Sequence, residues 1–158
     1  MKFEEALKFG QEGEKEIASI LVANNVSIIP LYQFESHDEM PFLFSKNVKL
    51  VLPDLTCYNG KTCFFVECKR KNKWIYWNGR LETGLNARLF DKYLKIKEIT
   101  NFNIYIFFKH ENEYPGIYYN EISNLEVQGR IWSGCKKSGE YVTESLMLFP
   151  KEVLKKIK

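Results

Sequence analysis

Residues 47–58, NVKLVLPDLTCY, and residues 61–69, KTCFFVECK, are two β-rich runs that flank Asn59-Gly60, and their reading decides the fold. Asn-Gly between apolar runs signals a hairpin, because both residues tolerate the positive φ of a tight two-residue turn. Such a turn pairs Tyr58 with Lys61. Counting outward, Thr56 opposes Cys63, Asp54 opposes Phe65 and Leu52 opposes Glu67. Side chains alternate along a strand, so Asp54, Glu67 and Lys69 share one face. Leu55, Cys57, Phe64, Val66 and Cys68 take the other, and Cys68 is expected to be a core residue.

Upstream, FEEALKFGQEGEKEIASILVAN (3–24) reads as an amphipathic helix with Leu7, Ile17, Ala18 and Leu21 at helical spacing. Glu14 falls seven residues after Leu7 and seven before Leu21, which puts it in the stripe that faces the sheet. A carboxylate aimed inward is costly unless it is paired or coordinates a cation. Residues 26–47, with Pro30 and Pro41, can be read as strand or loop and are left open.

Downstream, KRKNKWIYWNGR (69–80) is a basic, aromatic connection, and LNARLFDKYLKIKEI (85–99) reads as a second helix with Leu85, Leu89, Tyr93 and Ile96 as its stripe. FNIYIFFKH (102–110) has the continuous apolarity of a strand buried on both faces. GIYYNEISNL (116–125) reads as a strand entering a turn, YVTESLMLF (141–149) as a strand, and PKEVLKKIK (150–158) as a short terminal helix behind Pro150. The expectation is one α/β domain over residues 1–158, a mixed sheet flanked by helices with core order αβββαβ.

Asp54 and Glu67 are hard oxygen ligands for a divalent cation, and the Cys68 backbone carbonyl could add a third oxygen. Lys69 reaches the same side, where it can approach the attacking water or the charge that grows on a phosphate. Glu14, arriving from the helix, completes the set. Arg70, Lys71, Lys73, Trp74 and Arg80 suit a surface that tracks phosphates and stacks on bases; Arg88 and Lys92, one helical turn apart, could face a duplex backbone.

These residues carry a resemblance to the PD-(D/E)XK, or restriction-endonuclease-like, nuclease superfamily. Pro53-Asp54, twelve intervening residues and Glu67-Cys68-Lys69 match its signature. The layout is most similar to archaeal Holliday junction resolvases, whose early helix motif is matched by Gly10-Gln11-Glu12-Gly13-Glu14-Lys15-Glu16. The resemblance spans roughly residues 3–109. It implies a Mg2+-dependent phosphodiester hydrolase, with Mn2+ able to substitute, in which Glu14, Asp54 and Glu67 bind metal and Lys69 is catalytic. It also implies DNA as the substrate, while nothing in the sequence excludes RNA; many superfamily members act as homodimers, though the sequence carries no dimerisation signature.

A net charge of +3 excludes a polycationic coat for nucleic acid. Cys57, Cys63, Cys68 and Cys135 form no CxxC pair, and with only His37 and His110 beside them a zinc site is not expected. No secretory signal series or membrane-length apolar run is present, so no membrane partner is expected and the expected location is cytoplasmic, with free thiols. Two rivals remain open. One is a nucleic-acid-binding or assembly module on this fold without cleavage; the other is an enzyme for a different phosphate ester.

Overall fold

The computed structural model describes residues 3–30, 41–133 and 144–157. Its elements are α1 (Phe3–Ala23), β1 (Ser27–Pro30), β2 (Phe42–Ser45), β3 (Val48–Val51), β4 (Leu55–Tyr58), β5 (Cys63–Lys71), β6 (Ile75–Trp77), β7 (Arg80–Asn86), α2 (Ala87–Thr100), β8 (Asn103–His110), β9 (Gly116–Glu121), α3 (Ile122–Gln128), β10 (Arg130–Trp132), β11 (Leu146–Pro150) and β12 (Lys155–Lys156). The main sheet runs β1-β4-β5-β8-β9-β12, and β10-β11-β7-β6 form a second sheet. Only β5 and β8 pair in parallel within the main sheet, as the long crossover through α2 requires. The mixed sheet with helices on both faces matches the architecture expected, and αβββαβ corresponds to α1, β1, β4, β5, α2 and β8.

The central hairpin forms with a different turn. Tyr58 pairs with Cys63 rather than Lys61, leaving Asn59 to Thr62 as a four-residue connection. The Asn59 side chain accepts the N–H groups of Lys61 and Thr62, so the asparagine organises the loop through its amide oxygen. Only Gly60 has positive φ there, whereas a type I′ turn needs two such residues. The register therefore shifts by two. Because the shift is even, every side chain keeps its face, and continuing the Leu55–Val66 pair by one step brings Asp54 opposite Glu67 instead of Phe65.

The two-residue turn occurs at the second Asn-Gly, Asn78-Gly79, where both residues have positive φ and Trp77 pairs with Arg80. The 69–80 connection is therefore half hairpin. Pro53, which has no N–H to donate, interrupts the 47–58 run. β3 pairs with β2 in a small ribbon of their own, and β4 joins the main sheet. The second helix starts two residues later than Leu85, capped by the Asn86 side chain on the Leu89 N–H, and it buries Phe90, Tyr93 and Ile96. Leu85 is buried from β7 instead. The turn expected after GIYYNE is helix α3, whose Ser123 N–H donates to the Glu121 side chain at the cap. Beyond Pro150, a single 3-10 turn gives way to β12, which adds to the free edge of β9; the terminal helix does not form.

Two cores lie on opposite sides of the main sheet. Ile17 and Leu21 of α1 pack on Leu55, Cys57, Val66, Cys68, Phe107 and Ile117. On the other side Phe65, Ile104, Ile106 and Phe108 meet Phe90, Tyr93 and Ile96 of α2, Leu125 of α3 and Phe149 of the second sheet. No helix among the described residues is long and apolar enough to cross a bilayer.

Candidate active site

Glu67 sits mid-strand on the α2 side of β5 with only 1% exposure. A carboxylate there needs partners, and two converge on it. The Tyr93 hydroxyl donates to one oxygen at 2.5 Å, and the Lys69 ammonium pairs with the other. Tyr93 was expected only as part of the apolar helix stripe. The signal that could have singled it out is general: a buried tyrosine usually finds a partner for its hydroxyl.

Asp54 follows the proline break and accepts the Cys68 backbone N–H at 2.7 Å, which ties the end of β3–β4 to β5. Burial pushes its carboxyl well above the usual range, the charges of Glu67 and Glu14 push it the same way, and Lys69 and the Cys68 N–H offset only part of this. Burial works against the charge on Lys69, but Glu67 and Asp54 more than compensate and hold its ammonium above the ordinary lysine value. The two carboxylates thus favour the charged form of Lys69, which can stabilise negative charge beside them.

Glu14 is half-buried on α1, and its charge reaches Asp54. The helix stripe lies about one position away from the reading above. Gly13, Ile17 and Leu21 are buried, with Glu14 on the flank. Gly13 has a steric role: a Cβ there would lie 2.9 Å from the Arg70 Cβ, so glycine lets α1 approach β5 closely. The three carboxylates are neighbours but do not close into one coordination shell. Among the described residues no group of three carboxylate, imidazole or thiol side chains is assembled to hold an ion, since Glu67 is turned to Lys69 and Tyr93. The donors fit magnesium in kind, being hard oxygens whose mutual repulsion a divalent cation would relieve.

The Cys68 thiol lies in the α1 core, and burial first, then the nearby carboxylates, push it up, so it is not a nucleophile. Among the described cysteines, Cys57, Cys63 and Cys68 are free; Cys135 and His37 lie outside the described residues.

The basic surface divides. Arg70 points to the α1 side, where Glu12 at 2.8 Å and Glu111 at 2.5 Å hold it, so it clamps the helix to the sheet rather than standing ready for phosphate. Trp74 is buried at 4% exposure, stacked on His110 with centroids 3.7 Å apart, and cannot offer its ring to a base. Sequence alternation alone could not assign either residue, because both depend on what packs beside β5. Lys71 is half-buried on the Lys69 side, its ammonium lowered to about 8 by burial and by Lys69. Lys73, Arg80, Arg88 and Lys92 are exposed.

No family model and no curated protein sequence matches the chain. A solved structure does. Archaeoglobus fulgidus Hjc, a Holliday junction resolvase from an archaeal hyperthermophile, superposes with a TM-score of 0.56 at 13% identity, covering 91% of this chain and 90% of that one. The similarity covers more of the chain than the 3–109 span quoted from the sequence. The chain therefore has the fold of an archaeal Holliday junction resolvase, and the resemblance to the PD-(D/E)XK nucleases holds at the level of that fold.

Proposed function

We propose that the chain is a magnesium-dependent nuclease that hydrolyses phosphodiester bonds in DNA. The observation that carries this reading is the placing of Asp54, Glu67 and the protonated Lys69 on one side of β4–β5, with the Glu14 charge arriving from α1, on a fold shared with a resolvase. Glu14, Asp54, Glu67 and the Cys68 carbonyl would hold the ion. When bound, a divalent cation supplies a Lewis acid that makes water a nucleophile at neutral pH and neutralises phosphate charge. In the reaction, water oxygen bonds to phosphorus, the bond from phosphorus to the leaving sugar oxygen breaks, and that oxygen takes up a proton.

The residues of the chain divide the remaining work. Lys69 stands where negative charge grows on the phosphate and, as an ammonium, stabilises it. Tyr93 fixes the Glu67 carboxylate by donating to one oxygen, and the Cys68 N–H does the same for Asp54. Lys71, Lys73, Arg80, Arg88 and Lys92 are the proposed phosphate contacts; Arg70 and Trp74 leave that set. Two opposed cuts, as at a four-way junction, need two such sites, so a homodimer is part of the proposal for that substrate.

Cleavage of labelled single-stranded, duplex, flap and four-way-junction DNA, with magnesium, manganese or EDTA, tests the reading. Metal-dependent cutting that is lost in Asp54→Ala and in Lys69→Ala is the expected result, by roughly a thousandfold for each group. Binding without cutting under any metal would instead assign the chain to the non-cleaving modules on this fold.

A further inference from the structure

The segment from Lys69 to Arg80 carries five basic residues and no acidic one. Its far end is the β6–β7 hairpin, where Tyr76 is 72% exposed and Trp77 49% exposed. Two large aromatic rings open to water on a short edge strand are unusual, because edge strands normally carry charge or proline instead.

The hairpin is rigid at both ends. At its root Trp74 stacks on His110 at an interplanar angle of 5° and meets Tyr118 edge-on at 5.0 Å, while Thr83 of β7 bonds the His110 ring at 3.1 Å. At its tip, the type I′ turn at Asn78-Gly79 matches the twist of the strands. The hairpin backbone is thus held at root and tip and loses little entropy when the hairpin is covered.

The pairing places the hairpin relative to the candidate active site. His110 is the partner of Lys71 across β5 and β8, and Lys71 shares its face of β5 with Lys69 and Glu67. β7 therefore leaves the core on the catalytic side of the sheet. Tyr76 pairs with Leu81 and lies on the same hairpin face as Thr83, toward that side. Trp77 pairs with Arg80 on the opposite face, with the Arg130 guanidinium 5.5 Å from its ring. The two rings project from opposite faces of one thin hairpin.

We infer that this hairpin is a stacking wedge for DNA with unpaired bases, Tyr76 taking a base of one strand and Trp77 a base of the other, with Lys73 and Arg80 on the flanking phosphates. Every base has a π-face, so stacking of this kind selects unpaired strands without reading their sequence. Paired bases within a duplex have no free face to offer. The inference rests on the DNA-directed part of the nuclease reading and adds a substrate class to it: branched, forked or single-stranded DNA over continuous duplex.

The test is binding in EDTA, where no cleavage occurs, by fluorescence anisotropy of a labelled fork with two unpaired arms and of a blunt duplex of equal length. Wild type is compared with Tyr76→Ala, Trp77→Ala and the ring-preserving Tyr76→Phe and Trp77→Phe, with circular dichroism as the control for folding. Each alanine change is expected to lower the fork-to-duplex affinity ratio by about 10-fold, and the phenylalanine changes to restore most of it. Equal loss on both DNAs, or no loss, overturns the wedge. So does dissociation of a wild-type dimer by either alanine change in light scattering, which would assign the rings to a second copy of the chain. Magnesium-dependent cleavage of the same DNAs separates the two readings. Cutting without a ring-dependent fork preference overturns the wedge alone, whereas ring-dependent fork binding without cutting sustains the wedge and overturns the nuclease.

Discussion

The two faces of β5 are built to different rules. Toward α1, Val66 and Cys68 are buried among Ile17, Leu21, Leu55 and Phe107, and Arg70 closes the end of that face through Glu12 and Glu111. Every group there is either apolar or neutralised. Toward α2, Phe65 gives way to Glu67, Lys69 and Lys71 along the same strand, with Asp54 across from them. That side crowds like-charged carboxylates out of water and holds Asp54 well above its usual range, mainly by burial and then by Glu67. Groups shifted this far by burial and by specific neighbours mark functional sites more often than structural ones. One strand thus carries an apolar, neutralised face and a face of crowded charge.

Substitutions on the two faces should separate cleanly. Lys69→Ala is expected to have the largest effect on cleavage, roughly a thousandfold per folded molecule, well beyond the lowering of the unfolding midpoint that follows from removing the cation beside the buried Glu67 carboxylate. A loss of folding on that scale, seen by thermal melting, would break the contrast. Val66→Ala, on the other face, removes methyl groups from a fully buried position and is expected to cost about 2 kcal/mol in urea denaturation while cleavage per folded molecule is retained.

Asp54→Asn tests the contrast from the other direction. A carboxyl raised by folding contributes full stability below its ordinary value, near 3.9, and loses that contribution as pH rises through its raised value. Ionising the buried aspartate therefore works against the metal-free fold. The neutral replacement should raise stability in EDTA by about 1 kcal/mol while cleavage is abolished, and the gain should shrink once magnesium stabilises wild type. A destabilised variant in EDTA would show that the Cys68 N–H bond outweighs the repulsion.

The smallest effect concerns Lys71. Its ammonium, lowered to about 8 by burial and by Lys69, is charged at pH 7 and largely neutral at pH 9, whereas an exposed lysine stays charged throughout. DNA affinity of wild type should fall a few-fold over that interval, by about the worth of one phosphate contact, and Lys71→Arg should flatten the profile. An identical slope in both proteins would remove Lys71 from the binding surface.

Much of the site was legible because strand alternation is insensitive to an even register shift. Asp54, Glu67 and Lys69 kept their common face although the turn at Asn59 was two residues longer than expected. What was misplaced depended on distant partners. Trp74 and Arg70 belong to the same basic, aromatic run as Lys73 and Trp77, yet His110 draws one into the core, and Glu12 with Glu111 draws the other to the helix. The helix α3 and strand β12 were unreadable for a similar reason: α3 is only seven residues long, and β12 exists because β9 has an edge to fill.

By itself the sequence determined the local periodicities: the amphipathic α1, the buried β8, the central hairpin, and which side chains of β4 and β5 share a face. These follow from short-range sterics and the pleat, which act within a few residues. Only the tertiary structure decided which Asn-Gly makes the two-residue turn, that Tyr93 donates to Glu67 across 26 positions of chain, and that Tyr76 and Trp77 rather than Trp74 face solvent. Those outcomes depend on which surfaces meet when the sheets and helices pack, and no local preference encodes that meeting.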